Sequence, residues 1–161
     1  MNCSLQKVSL PDKEILYRLL QYSLFEESQT DLNEMNNEAL FEYEWFDSYF
    51  TDKDREAYFI KSEENKLCGF VMINTYMQKM QHGHSIAEFM IIPQYRRKKL
   101  GKSVAFQIFD IYKGNWEVSP SYGSYSAYMF WKNIIEEYTD SEYIYEDGIF
   151  IFKSGEQNAG L

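Results

Sequence analysis

Apolar and polar positions along the chain fall into short runs whose period switches between two residues and a helical repeat. Leu5 to Leu10 reads as a first short strand. Pro11-Asp12 then opens a helix whose stripe is Ile15, Leu16, Leu19, Leu20 and Leu24. Leu40, Phe41, Trp45, Tyr49 and Phe50 recur at helical spacing and predict a second helix over Glu38 to Phe50. Glu56 to Lys61 and Leu67 to Ile73 predict a hairpin around the polar turn Ser62 to Lys66. A third strand runs from Ser85 to Ile92 and stops at Pro93. Beyond it the order becomes helix, strand, helix: Leu100 to Tyr112, Trp116 to Val118, and Ser126 to Tyr138. Two closing strands, Glu142 to Glu146 and Ile149 to Lys153, flank the hairpin signal Asp147-Gly148. The order β-α-α-β-β-β-α-β-α-β-β predicts an α/β fold: one mixed sheet of about seven strands with helices on both faces.

At 161 residues and 45% hydrophobic, the chain is sized for one domain with its own core, spanning 1–153, with a disordered tail over 154–161. The 14 Tyr, 12 Phe and 3 Trp supply packing surface and walls for a ligand cleft. Cys3 and Cys68 have neither disulfide-framework nor metal-ligand spacing and read as free thiols. Met1 to Leu10 lacks the basic and apolar regions of a signal peptide, and no run approaches a membrane span. The expectation is a cytoplasmic protein without a metal, a membrane partner or a nucleic-acid partner.

Net charge is −9, which argues against general nucleic-acid binding. Five of the 16 basic residues nevertheless fall within positions 96 to 102; without them the chain would stand at −14. Such a patch on an acidic protein suggests a specific anion site. The acidic stretch Glu26, Glu27, Asp31, Glu34, Glu38, Glu42, Glu44 and Asp47 reads either as solvated helix faces or as an approach surface for a cationic amine.

The basic run has a context. It follows a strand ending at Pro93 and enters a helix directly. N–H groups at a helix N-terminus have no intrahelical partner, and the helix dipole adds about half a positive charge there. This is phosphate-binding chemistry, and Gly101 would let a ligand approach the backbone. Gly101-Lys102-Ser103 matches the tail of a Walker A loop, but that motif needs glycine where Arg96 stands. Instead, Ile92-Pro93-Gln94-Tyr95-Arg96-Arg97-Lys98-Lys99-Leu100-Gly101-Lys102-Ser103 resembles the acetyl-CoA motif Arg/Gln-x-x-Gly-x-Gly/Ala of GNAT N-acetyltransferases, with Lys99 in the first glycine slot. Gly69-Phe70, the strand Trp116 to Val118 and the helix segment Ala127 to Trp131 extend the likeness, and the whole closely resembles a bacterial subgroup of acetyltransferases.

The resemblance implies a GNAT acyl-CoA N-acyltransferase fold and acetyl transfer from acetyl-CoA, a co-substrate, to an amine-bearing small molecule or peptide in a ternary complex. It implies that the backbone of Met90, Ile91 and Ile92 holds the pantetheine arm. It implies that Arg96, Arg97, Lys98, Lys99, Leu100, Gly101, Lys102 and Ser103 wrap the pyrophosphate, with the thioester between that strand and Trp116 to Val118. The family's proton-donor tyrosine aligns with Trp131, counted here among cofactor-binding positions. Tyr128 shares its helix face by spacing and is the candidate acid, with Tyr122 and Tyr125 as further options. Ser124 stands near the family's frequent Asn. Glu88, a carboxylate in an otherwise apolar strand, is the candidate base; a structural carboxylate is the other reading. Glu117 follows the same logic. His82 and His84 flank Gly83 and read as a turn rather than a metal pair. A monomer or homodimer is expected. Two other readings remain: a degenerate domain that senses acyl-CoA, and an interaction protein whose basic loop is a partner patch.

Overall fold

The computed structural model describes residues 2–155, and the expectation for 156–161 lies outside them. Seven strands form one sheet: β1 (Cys3–Lys7), β2 (Arg55–Ser62), β3 (Leu67–Asn74), β4 (His84–Ile91), β5 (Gly114–Val118), β6 (Ile144–Glu146) and β7 (Ile149–Ser154). Their order is β1-β2-β3-β4-β5-β7-β6. Among the described residues only β4 and β5 pair in parallel; the other neighbours are antiparallel.

Helix α1 (Lys13–Asp31) lies on one face, and helices α2 (Leu100–Ile111) and α3 (Tyr125–Thr139) on the other. Two cores result. Leu16, Leu20, Phe41, Phe46 and Tyr49 pack on Phe59, Phe70, Met72 and Met90 beneath α1. Val104, Ile108, Phe109, Trp131 and Ile135 pack on Val71, Ile73, Trp116 and Phe150 on the opposite face. The strands that feed both cores, β3 above all, are apolar at nearly every position, as double-sided burial requires.

Three expectations need correction. The helix over Glu38 to Phe50 is absent; this segment is looped, with a single 3-10 turn at Asp47–Phe50. Asn36 closes a local turn: its Oδ1 accepts the N–H groups of Glu38 and Leu40 at 2.9 and 3.1 Å, and its own N–H bonds to the Leu40 carbonyl at 2.8 Å, occupying an acceptor that a helix would give to Glu44. Gln21 of α1 pairs with both backbone groups of Phe41 at 2.8 Å, so the aromatic spacing records docking onto α1. The first strand ends at Lys7, because Leu10–Asp12 turns at Pro11. Ser154 belongs to β7 rather than to a tail, and its buried hydroxyl bonds to Gly114 and Tyr112.

The feature that makes a site is the parting of β4 from β5. They pair only at His84 with Trp116, Ser85 with Glu117 and Ile86 with Val118. At that point the β3–β4 register shifts: Ile73 faces Ile86 but Met72 faces Glu88, so Ala87 is an extra residue. A bulge bends the strand that carries it and sharpens its twist. Beyond it β4 continues without β5, leaving a gap in the middle of the sheet. Among the described residues no helix is long and apolar enough to cross a membrane.

Candidate active site

A cleft of about 1490 Å3 passes through this gap. Its floor is Ile86 to Ile91 of β4, and its far side is Val118 and Ser119 at the end of β5. One wall is α1, through Ser23, Glu26, Glu27, Thr30 and Asp31; the other is the start of α2 with Phe130, Trp131 and Ile134 of α3. The loop after β5 roofs it. Gly123 has φ +77, and a Cβ there would stand 3.0 Å from the Thr30 carbonyl oxygen, so glycine allows the loop to meet α1.

The anion end is the N-terminus of α2. Ser103 N–H makes a helical bond to the Lys99 carbonyl, which leaves the N–H groups of Leu100, Gly101 and Lys102 without a helix partner. Among the described residues no side chain caps this end. Arg97 and Lys99 both sit in the left-handed region, at φ 63 and 60, with Lys98 between them outside it. Alternation of this kind turns successive amides toward one point and makes an anion-binding hollow. Lys99 thus keeps the conformation its glycine counterpart would adopt, at a cost of about 1 kcal/mol. Two cations of the run are already paired: Arg96 with Glu26 of α1 at 2.9 Å and Lys102 with Glu137 of α3 at 2.7 Å. Arg97 and Lys99 have no ion-pair partner among the described residues.

A Cβ on Gly101 would lie 2.8 Å from the ring of Phe130, so the glycine at this helix end also makes room for Phe130 in the cleft wall. Ile92 N–H bonds to the Cys68 carbonyl of β3 at 2.7 Å. Backbone groups alternate sides along a strand, so those of Ile91 point into the gap. The Ile91 carbonyl there accepts from Arg96 Nε at 2.6 Å.

The acceptor end is acidic. Glu88 stands directly after the bulge, on the face toward α1. It hydrogen-bonds to Glu27 and to Tyr43, whose hydroxyl interacts in turn with Tyr49. Burial, then the charge of Glu27, pushes the Glu88 carboxyl well above the ordinary carboxylate range. Glu27 is raised too, chiefly by burial. Burial, followed by the Glu88 charge, pushes the Tyr43 hydroxyl far up.

The cleft therefore gathers Met90, Ile91, Arg96, Arg97, Lys99, Leu100, Gly101, Lys102, Trp131 and Glu88. Ile92, Lys98, Ser103 and Tyr128 do not line it. Lys98 lies over the Tyr95 ring, and Ser103 turns toward Cys3 and Gln107. Tyr128 stacks on Phe150 and touches Tyr145 and Tyr125, away from the cleft. Tyr122 does line the cleft, and Ser124 caps α3 by accepting from Ala127 N–H at 3.1 Å. Glu117 is 3% exposed and accepts three N–H groups, from Gln78, Lys79 and Met80, each at 2.8 Å. It clamps the β3–β4 loop and is no candidate base. His84 begins β4 and packs on Tyr112 and Trp116. Glu27, Tyr43 and Phe89 are cleft residues that sequence did not single out. Only the acidic run around Glu27 carried a signal.

A cleft between parted parallel strands, with a helix N-terminus at one end and carboxylates at the other, invites comparison with known proteins. Spermidine N-acetyltransferase from Vibrio cholerae, solved in complex with CoA and spermine, superposes with a TM-score of 0.63 at 11% identity, covering 96% of this chain and 97% of that one. An acetyltransferase from Thermus thermophilus gives 0.63 at 14% identity, covering 95% and 97%. At these identities the likeness is one of fold. No curated protein sequence shows a significant match. The family model for the acetyltransferase (GNAT) family matches residues 21–119, a span running from α1 through the basic loop to the end of β5. The chain belongs to the GNAT acetyltransferase family.

Proposed function

We propose that the chain moves an acetyl group from acetyl-CoA to a primary amine of a cationic small molecule or peptide, by direct attack within a ternary complex. The observation that carries this reading is the arrangement along one cleft: free amides and unpaired cations at the α2 end, an open strand edge in the middle, and Glu88 among acidic neighbours at the other end.

The residues fit acetyl-CoA as a substrate. The amides of Leu100, Gly101 and Lys102 with Arg97 and Lys99 would hold the pyrophosphate. The Ile91 backbone would hold the pantetheine arm and aim an N–H at the thioester oxygen, where negative charge grows on attack. An amine resembling that of lysine is protonated near neutrality (pKa ~10) and must lose a proton first. Glu88 would take it, its raised proton affinity suiting a base that works near neutrality. Tyr122, which lines the cleft where Tyr128 does not, would be the tyrosine to meet the leaving thiolate. The lining acids Glu26, Glu27, Asp31 and Glu42 favour a positively charged acceptor. The polyamine-bound relative of the same fold agrees with that preference.

The test is acetyl-CoA with 1,4-diaminobutane as probe amine, followed by mass spectrometry of the product. Glu88→Gln should cut amine-dependent acetylation by about 100-fold or more. Undiminished transfer would contradict the assignment. Trp131 in the slot of the usual tyrosine favours a second reading, an acyl-CoA sensor. Tight acetyl-CoA binding with no transfer to any amine would select it.

A further inference from the structure

We propose that Glu27 is a positioning residue for the reaction: by sharing one proton with Glu88 it holds that carboxylate at the acceptor end of the cleft and restores the pair after each transfer. The proposal rests on Glu88 being the base.

Glu27 lies on α1, one turn from Ser23 and from Asp31, on the wall that faces Glu88. The two side chains are hydrogen-bonded to each other. An ionised carboxylate only accepts hydrogen bonds, so two can bond only if one carries a proton. The resting pair therefore holds one proton and one negative charge. The charged groups that bear on it from α1 are Glu26 and Asp31, and Glu26 is itself paired with Arg96 of the basic loop at 2.9 Å. Tyr43, from the looped segment, hydrogen-bonds to Glu88, with Tyr49 behind it, and Ser23 hydrogen-bonds to Glu27. Both carboxyl groups are pushed up by burial, and each is further raised by neighbouring acids.

The chemistry balances as follows. An ammonium entering the cleft brings a positive charge between the carboxylates, and the shared proton leaves to solvent. One ammonium N–H bond then breaks as an O–H bond forms on Glu88, and the electron pair stays on nitrogen. The neutral amine attacks the thioester carbon and forms the C–N bond; the C–S bond then breaks with its electron pair leaving on sulfur, and the CoA thiolate takes up the second proton lost by the nitrogen. The pair is then again singly protonated, which is its resting state. Glu27 makes the proton acceptance favourable because it stabilises Glu88–H through the hydrogen bond between them.

The experiment uses the full chain with 13C-labelled glutamate carboxyls and needs no acceptor. In the wild type, a carboxyl step should appear well above the ordinary range. In Glu27→Gln that step should move to lower pH; its persistence would overturn the proposal. If Glu27→Gln does not fold, Glu88→Gln should move the upper carboxyl step to lower pH, because only burial, Asp31 and Glu26 then raise Glu27; an upper step left in place would overturn the proposal equally. In acetylation of 1,4-diaminobutane, Glu27→Gln should move the acid limb of kcat/KM to lower pH and lower the plateau, more in kcat than in KM. An unmoved limb would refute the positioning role. Full turnover in Glu88→Gln would instead refute the base assignment, a failure the carboxyl titration distinguishes because it reads the pair without turnover.

Discussion

Exchanging the carboxylates Glu117 and Glu88 for glutamine should give opposite results. Both lie in strands beside the cleft, and in sequence they look alike. Glu117 has Oε1 accepting from Lys79 and Met80 and Oε2 accepting from Gln78, all at 2.8 Å and with 3% exposure. A glutamine keeps one oxygen, which can serve Lys79 and Met80. Its amide group then meets the Gln78 N–H donor to donor, and the charge that strengthened all three bonds is gone. One buried donor left unpaired, together with weaker remaining bonds, costs about 2–4 kcal/mol. For a chain of this size that is roughly 6–12 °C in Tm. Glu117→Gln should melt early, followed by tryptophan fluorescence, yet acetylate normally well below its Tm. Glu88→Gln should melt no earlier than wild type and lose transfer. Wild-type stability in Glu117→Gln with transfer lost would refute the argument, since it would make Glu117 the reacting group.

Three further outcomes follow from the same geometry. Neutralising Arg97 and Lys99 together should weaken CoA binding in isothermal titration by about tenfold or more at low salt, and the gap should narrow as salt rises. Gly101→Ala, which forces a Cβ to within 2.8 Å of the Phe130 ring, should cost about 1–3 kcal/mol in denaturant unfolding and reshape the cleft wall. The third concerns pH. Because the folded values of Glu27 and Glu88 are raised, their contribution to stability is present below the ordinary value of 4.5 and is lost as pH rises through the raised values. The free protein should therefore lose stability with rising pH across that window, and Glu88→Gln should lose less in denaturation series at matched ionic strength.

Elements that sequence revealed are those whose periodicity is local. The hairpin of β2 and β3, the run from β4 through the basic loop into α2, and helix α3 are all present within a residue or two. The segment before β2 misled because aromatic residues docked on α1 can mimic helical spacing. Its conformation is decided by Gln21, 20 residues away from Phe41. Glu117 was unreadable for the same reason: its amide partners lie 37 to 39 residues back. Spacing puts Tyr128 and Trp131 on one face of α3, yet the sheet beneath divides them. Trp131 packs on Phe89 at the cleft, and Tyr128 packs on Phe150 of β7. The pairing of Glu27 with Glu88 needs α1 laid across β4, a tertiary fact. The anion end was legible because strand, loop and helix N-terminus are consecutive in the chain.

A crystal structure with acetyl-CoA would read the whole cleft at once. It should show pyrophosphate on the amides of Leu100 to Lys102, pantetheine along Phe89 to Ile91 in the gap beside Val118, and the thioester facing Glu88. Acetyl-CoA bound elsewhere, or a gap that stays closed to pantetheine with the loop engaged by another partner, would contradict that placement.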